Sequence, residues 1–268
     1  MYSGTTFRKN SGGFVGVHQK IDRVARRKFA DICDDQFFPS IKEILHFEGN
    51  HGPDGIKRKS PAVDEPWHYI DPTDETDKQL IGLINDHIDN LAKALKDNDQ
   101  TRAAFEAAWL AHAVTDGLTP AHHYPLSDKI EELWGKPKEQ RLSIIDKNFI
   151  RGSNRRDTVS KNWEYWGAKV IFSTHLLFEL GVATSAKTHR FTQLTIDESL
   201  LNMVKRDGFE PVFKRAVNRI YDLGMYEDFW KKGWSTRLAL QTRKQLMPDI
   251  IETVTLAWYA ASVKAKKI

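Results

Sequence analysis

Residues Ala111–His122 gather three side chains of metal-ligand type, His112, Asp116 and His122. His112 and Asp116 are four positions apart, so a helix sets both on one face. Asp116 stands just before Gly117, where a helix is expected to end. A carboxylate there meets the negative end of the helix dipole, at a cost of about 0.3–1 kcal/mol, and a bound cation reverses that cost. Pro120 stiffens the turn that delivers His122. The competing reading of this segment is a solvated helix end with two ordinary histidines. His175 and Glu179 repeat the four-residue spacing inside the apolar stretch Val170–Leu180. A Glu buried there is neutralised by a raised pKa, by an ion-pair partner or by a metal.

Three further positions carry the same residue types. His68 lies in Trp67-His68-Tyr69-Ile70-Asp71-Pro72, between a polar loop and a helix start. Asp54 lies in Gly52-Pro53-Asp54-Gly55 and by itself reads as a turn residue. His18 opens the first helix on the same face as Asp22. Of the ten histidines in the chain, five fall in these segments, and two of those pair with a carboxylate at helical spacing. Carboxylate with neutral imidazole and no thiolate is the ligand mixture of catalytic zinc, and it also suits manganese or iron. Sites of more than one metal clamp the attacking and leaving oxygens of a phosphoryl group. Of the other histidines, His123 is an alternative register to His122. His87, with Asn85 and Asp86, is expected to face solvent.

The elements that must position these residues are helical. Val17–Cys33 places Ile21, Val24, Ala25 and Phe29 at helical spacing, and Phe37–Phe47 is a second short run. Glu48–Pro66 is expected to be a loop. Thr73 or Asp74 is expected to cap a helix over Glu75–Leu95. Alanine-rich Gln100–Val114 is helical and is ended by Gly117 and Pro120. Leu126–Ser160 is a polar, basic insert whose Arg151–Arg156 reads as an exposed loop. Asn162–Leu180 reads as one helix closed near Gly181. Two or three helices follow between Thr192 and Lys232. The last runs over Thr236–Lys264, where Pro248 must kink it or start a new segment. Strand patterns are nearly missing, and no linker separates two cores. The expectation is an all-α, single-domain multi-helix bundle over residues 1–268, with the metal cluster in a cleft.

Composition sets the bounds. The 268 residues carry 40 Lys and Arg against 36 Asp and Glu, a net charge of +4, which mildly favours anionic partners. The single cysteine, Cys33, excludes an intramolecular disulfide framework. The first residues lack the apolar core of a signal peptide, and no stretch has the length of a membrane span. A cytoplasmic location is the expectation, with secretion left open should the N-terminus be incomplete.

The string His112-x3-Asp116-x3-Pro120-x-His122, followed by His175-x3-Glu179, resembles the zinc-dependent phospholipase C family. His18, Asp54 and His68 match in the same order, and His68 stands in a His-aromatic-x-Asp-Pro context. The resemblance implies an all-α bundle and two or three zinc ions. One would be held by Asp54, His68, His112 and Asp116, and a second by His122, His175 and Glu179. A third would share Asp116 and use His18. The family completes that third site with the amine and carbonyl of an N-terminal Trp. This chain offers Met1 or Asp22 in its place. Asp54 is also implied as the general base toward the attacking water. The phosphocholine-cleaving members carry aromatics where this chain has Gly55 and Glu65, and Glu65 would meet a cationic headgroup.

The implied activity is hydrolysis of a phosphodiester headgroup by a metal-activated water, with a phospholipid substrate and peripheral contact with a membrane. Two alternatives stay open. S1/P1-type single-strand nucleases share this fold and carry Asp where this chain has Glu179. The basic insert (Lys136, Lys138, Arg141, Arg151, Arg155, Arg156) with Trp134, Trp163 and Trp166 suits a nucleic-acid substrate. The other alternative is a non-catalytic module stapled by metal. No obligate protein partner is evident.

Overall fold

The computed structural model describes residues 1, 16–34, 36–61, 67–123, 131–137, 140–145, 149–166 and 171–267. No strand occurs among the described residues. The helices, in chain order, are α1 (Val17–Ile32), α2 (Ile41–His46), α3 (Pro53–Lys59), α4 (Gln79–Lys96), α5 (Gln100–Gly117) and α6 (Arg155–Trp166). They continue as α7 (Ile171–Ala186), α8 (Glu198–Asp207), α9 (Glu210–Tyr221), α10 (Met225–Lys232), α11 (Thr236–Gln241) and α12 (Met247–Ala265). The all-α expectation holds.

α5 is the central element, and its composition explains why. Ala103, Ala104, Ala107, Ala108 and Ala111 are buried. Their small side chains let α1, α2, α4 and α12 pack directly against α5. α1 turns Ile21, Val24, Ala25 and Phe29 inward, as its periodicity predicts. On α12, the fully buried Trp258 donates its indole N–H to the Ala107 carbonyl of α5 at 2.9 Å. The rings of Phe29 and Phe38 lie 6.5 and 5.6 Å from it. A helix with no solvent face can carry polar groups only if they are partnered. On α5 those buried groups include Glu106, His112 and Asp116.

Several boundaries differ from the sequence reading. Glu48–Pro66 holds a 3-10 turn (Gly49–His51) and α3, which Pro53 opens from a position where its missing N–H is no loss. α4 starts at Gln79 because Asp71 and Asp74 accept from the N–H groups of Thr73 and Thr76 in tight turns instead of capping a helix. α7 runs through Gly181 to Ala186. Gly181 serves the close approach of the Trp234 ring, which an added Cβ would meet at 2.3 Å. The helical signal over Asn162–Leu180 divides between α6 and α7, and residues 167–170 lie outside the described residues. Pro248 does start a new segment, since five residues of π-helix, Thr242–Leu246, precede α12. No described helix is long and apolar enough to cross a membrane.

Two glycines on helices test this packing in opposite directions. A Cβ at Gly55 would lie 2.2 Å from the Asn50 carbonyl oxygen, whereas one at Gly82 meets nothing within 4 Å. Gly55→Ala is expected to destabilise by about 1–3 kcal/mol through overpacking. Gly82→Ala is expected to stabilise by about 0.5–1 kcal/mol through helix propensity. Urea denaturation of the two variants checks both signs.

Candidate metal centre

Asp116 is the centre of the cluster. It sits in the last turn of α5, 2% exposed, and other parts of the chain converge on its two oxygens. On the Oδ2 side are His68 Nδ1 at 2.6 Å and His112 Nε2 at 3.3 Å. Asp54, on α3, brings Oδ1 to 3.7 Å from the same His112 nitrogen. On the Oδ1 side are the Met1 amine at 2.9 Å and His18 Nε2 at 3.4 Å. His18 Nε2 also lies 2.9 Å from the Met1 carbonyl oxygen. The amine and carbonyl of Met1, His18 and one oxygen of Asp116 thus stand together. Of the two stand-ins offered by the sequence, Met1 takes the place at Asp116, and Asp22 is buried on α1 within electrostatic reach of Glu48 and His112.

The second group is His122, His175 and Glu179. Glu179 Oε1 is 3.0 Å from His175 Nε2, 3.4 Å from His122 Nε2 and 3.1 Å from the Met1 amine. His122 Nε2 and His175 Nε2 are 3.2 Å apart. His122 is held by a turn. The 3-10 turn Pro120–His122 presents it, Ile70 donates its N–H to the His122 carbonyl at 3.2 Å, and His122 Nδ1 donates to the His68 carbonyl at 3.0 Å. A carbonyl only accepts, so Nδ1 carries the proton and Nε2 presents its lone pair to Glu179 and His175. The neighbour in sequence does something else. His123 Nε2 donates to the Gly117 carbonyl at 2.8 Å and takes no part in the cluster.

Three sets can each hold a metal ion: His68, His112 and Asp116; His122, His175 and Glu179; and His18, Glu48 and His112. All eight ligand positions read from the sequence come together, with Asp54 at the margin. Glu65 lies outside the described residues. The donor chemistry fits a cation. His68 Nε2 and His112 Nε2 are buried without a hydrogen-bond partner. His122 turns a lone pair toward a carboxylate oxygen, a contact that only a proton or a cation makes favourable. Within the cluster the side chains of Asp54 and His175 keep some exposure, 24% and 15%.

The electrostatics follow from burial set against charge. Desolvation would lower the Met1 ammonium, but Asp116 and Glu179 outweigh it and raise its pKa from 8.0 to about 10. Desolvation would raise the Asp116 and Glu179 carboxyls, and the Met1 amine with the facing histidines holds both well below their usual range. Burial lowers His68 to about 4 and His122 to about 3, so both imidazoles are neutral, as metal ligation requires.

Sequence reasoning missed two partners. Glu48, read as the start of a loop, is 1% exposed beside His112. No local spacing pointed to it. His87, expected at the surface, is buried with Nδ1 2.5 Å from Glu106, which Arg102 also pairs. Glu106 sits four positions after Arg102 on alanine-rich α5, and that setting was the available signal.

Comparison with protein-family models, with curated proteins and with solved structures finds no match to this chain.

The metal-free protein is expected to lose stability toward alkali, where the raised Met1 amine and the raised His112 imidazole give up their protons, and toward acid, where the buried His68 and His122 gain them. The raised Met1 amine stabilises fully below pH 8, and its contribution, on the order of 1–3 kcal/mol, is lost as pH rises through about 10. The depressed histidines act at the other limb. Their neutral forms stabilise the fold above pH 6.5, and that contribution is lost as pH falls toward 4 and 3. Thermal melts across pH with chelator present check both limbs. The adjacent histidines should also separate. His122→Ala should lower bound metal measured by mass spectrometry, whereas His123→Ala should leave bound metal unchanged and cost about 1–3 kcal/mol of stability.

Proposed function

We propose that this chain is a zinc-dependent phosphoric ester hydrolase acting on phosphodiesters, with phospholipase C-like chemistry. The observation that carries the reading is the arrangement on Asp116. Its two oxygens serve two different sets, one with His68, His112 and Asp54, the other with His18 and both main-chain groups of Met1. A third set, with Glu179, lies 3.1 Å from the Met1 amine. That order of ligands is what the resemblance to the zinc-dependent phospholipases C implies. It extends to the third site, where Met1 stands for the family's terminal Trp.

Zinc bound here would supply Lewis acidity to the phosphoryl oxygens and lower the pKa of water. The remaining work belongs to side chains. Asp54 is the most exposed of the cluster carboxylates, so its Oδ1 reaches both water and the His112 side of the site. Burial pulls the Asp54 carboxyl up, but His112, His18 and the Met1 amine outweigh it, and it stays ionised and able to accept a proton. Tyr69 lies against His122, with ring centroids 5.4 Å apart, and shields that ligand from water.

The surroundings favour a lipid surface over a nucleic acid. Leu142, Ile144, Ile145, Phe149 and Val159 are exposed within the insert and Trp163 just after it, an apolar set suited to peripheral contact with a membrane. Two members of the basic and aromatic set are not available for stacking on bases. Trp134 is buried, and the buried Arg141 lies over its ring at 5.6 Å. What remains for the nuclease reading is an open depression lined by Arg155, Arg156, Val159, Ser160 and Trp163.

The test is turnover of phospholipid vesicles, a soluble phosphodiester and single-stranded DNA by zinc-loaded protein. Loss of vesicle turnover by about 10²–10⁴-fold in Asp54→Asn is the expected result, with bound zinc measured alongside because Asp54 is also a ligand position. Hydrolysis of DNA alone sinks the lipid reading. Equal turnover after chelation sinks the metal reading. A metal-bound protein without activity leaves the non-catalytic staple as the function.

A further inference from the structure

His112 is gripped from both sides by one short stretch of chain. Its Nε2 faces Asp116 and Asp54, while its Nδ1 faces Glu48 Oε1 at 3.5 Å. Neither His112 Nδ1 nor Glu48 Oε1 has a hydrogen-bond partner, and both are buried. Glu48 caps the Gly49–His51 turn, and Asp54 sits in the first turn of α3, which follows directly. Glu48 Oε2 caps the Gly49–His51 turn by accepting from the Gly49 N–H at 3.2 Å, which leaves Oε1 turned to the histidine. Gly49 adopts φ of 62°, a left-handed conformation that glycine takes without strain. A Cβ at Gly52 would lie 2.7 Å from the Phe47 carbonyl oxygen, so the chain on either side of the turn is in contact.

An ionised carboxylate oxygen facing an imidazole nitrogen favours the tautomer with the proton on that nitrogen. A proton on Nδ1 leaves the lone pair of Nε2 for the metal side. Outer carboxylates fix the tautomer and ring orientation of metal-ligating histidines in this way. We propose that Glu48 is a positioning residue of the metal centre. It holds His112 in the Nδ1–H tautomer and aims Nε2 at the ion shared with Asp116 and Asp54. The proposal rests on the metal-dependent reading above and assigns a role to a residue outside that ligand set. The alternative is that Glu48 is itself a ligand, since His18, Glu48 and His112 bring one donor atom each within 4.8 Å of one another.

Glu48→Gln separates these. Gln has the same shape, but one amide cannot both accept from the Gly49 N–H and accept from His112 Nδ1–H. With its oxygen kept on Gly49, its NH₂ donates to Nδ1 and favours the opposite tautomer. Zinc affinity is measured by chelator competition on wild type and variant, with zinc stoichiometry by mass spectrometry. The expected result is an affinity about tenfold to a hundredfold weaker at unchanged stoichiometry. Unchanged affinity overturns the proposal, as does the loss of one zinc per chain, which makes Glu48 a ligand. Wild type that takes up no zinc fails at the earlier reading, a distinct result. A measurement on wild type alone guards against a variant that does not fold. Nitrogen-15 spectra of histidine-labelled, zinc-loaded protein should show His112 protonated at Nδ1, and an unprotonated or metal-bound Nδ1 overturns the assignment.

Discussion

The carboxylate of Asp116 is buried at the C-terminal end of a helix, where desolvation and the helix dipole both oppose its charge. Alone it would be neutral. It stays ionised because cationic and donor groups from four other segments meet it: Met1, His18 on α1, His68 in the extended chain before α4, and His122 in the turn after α5. Much of the bundle's architecture follows from presenting these groups at one point. Alanine-rich α5 permits the close packing that buries Asp116. The 3-10 turn after it folds His122 back toward its own helix, and the Ile70 N–H tethers the segment bearing His68 to that turn.

The Met1 ammonium occupies the position of a cation in this cluster, bridging Asp116 and Glu179 at 2.9 and 3.1 Å. Were a metal to bind this amine, its affinity would depend on pH, because the nitrogen ligates only after losing its proton. His68 and His122 impose no such competition, since burial already keeps them neutral. The cluster is thus mixed: His68 and His122 are neutral, while the Met1 amine and His112, raised by the carboxylates around them, hold protons that a metal would displace.

Local spacing made part of this site legible in the sequence. His112 with Asp116 and His175 with Glu179 are four apart on helices, and the helical period alone places each pair on one face. His122 was separable from His123 only through the family string, and the structure gives the physical reason: one turn of 3-10 helix sends the first ring to Glu179 and the second to the Gly117 carbonyl. Residues brought in by long-range packing left no such trace. Glu48 reaches His112 across 64 positions, and the Met1 amine reaches Asp116 across 115. No periodicity encodes either contact. α3 was hidden by its composition, since Gly, Pro and Asp read as loop while Pro53 in fact starts a helix. His87 was misplaced for a related reason: its buried partner Glu106 lies on α5, outside the helix whose face was being read.

The distribution of exposure across the cluster bears on whether metal here would be a staple or a catalyst. A structural metal site is closed, with all positions filled by protein, whereas a catalytic one keeps a position open to solvent or substrate. A pure staple at Asp116 would gain from sealing each ligand away from water. Instead burial is graded: Met1 and Asp116 are nearly inaccessible, while Asp54 and His175 keep 24% and 15% of their side-chain surface exposed. The most exposed carboxylate is also the one most loosely held, 3.7 Å from the nearest histidine nitrogen. Asp54 sits in the first turn of α3, directly after the turn that carries Glu48. Graded exposure of this kind leaves the Asp54 and His175 positions within reach of water, as an open metal position would require.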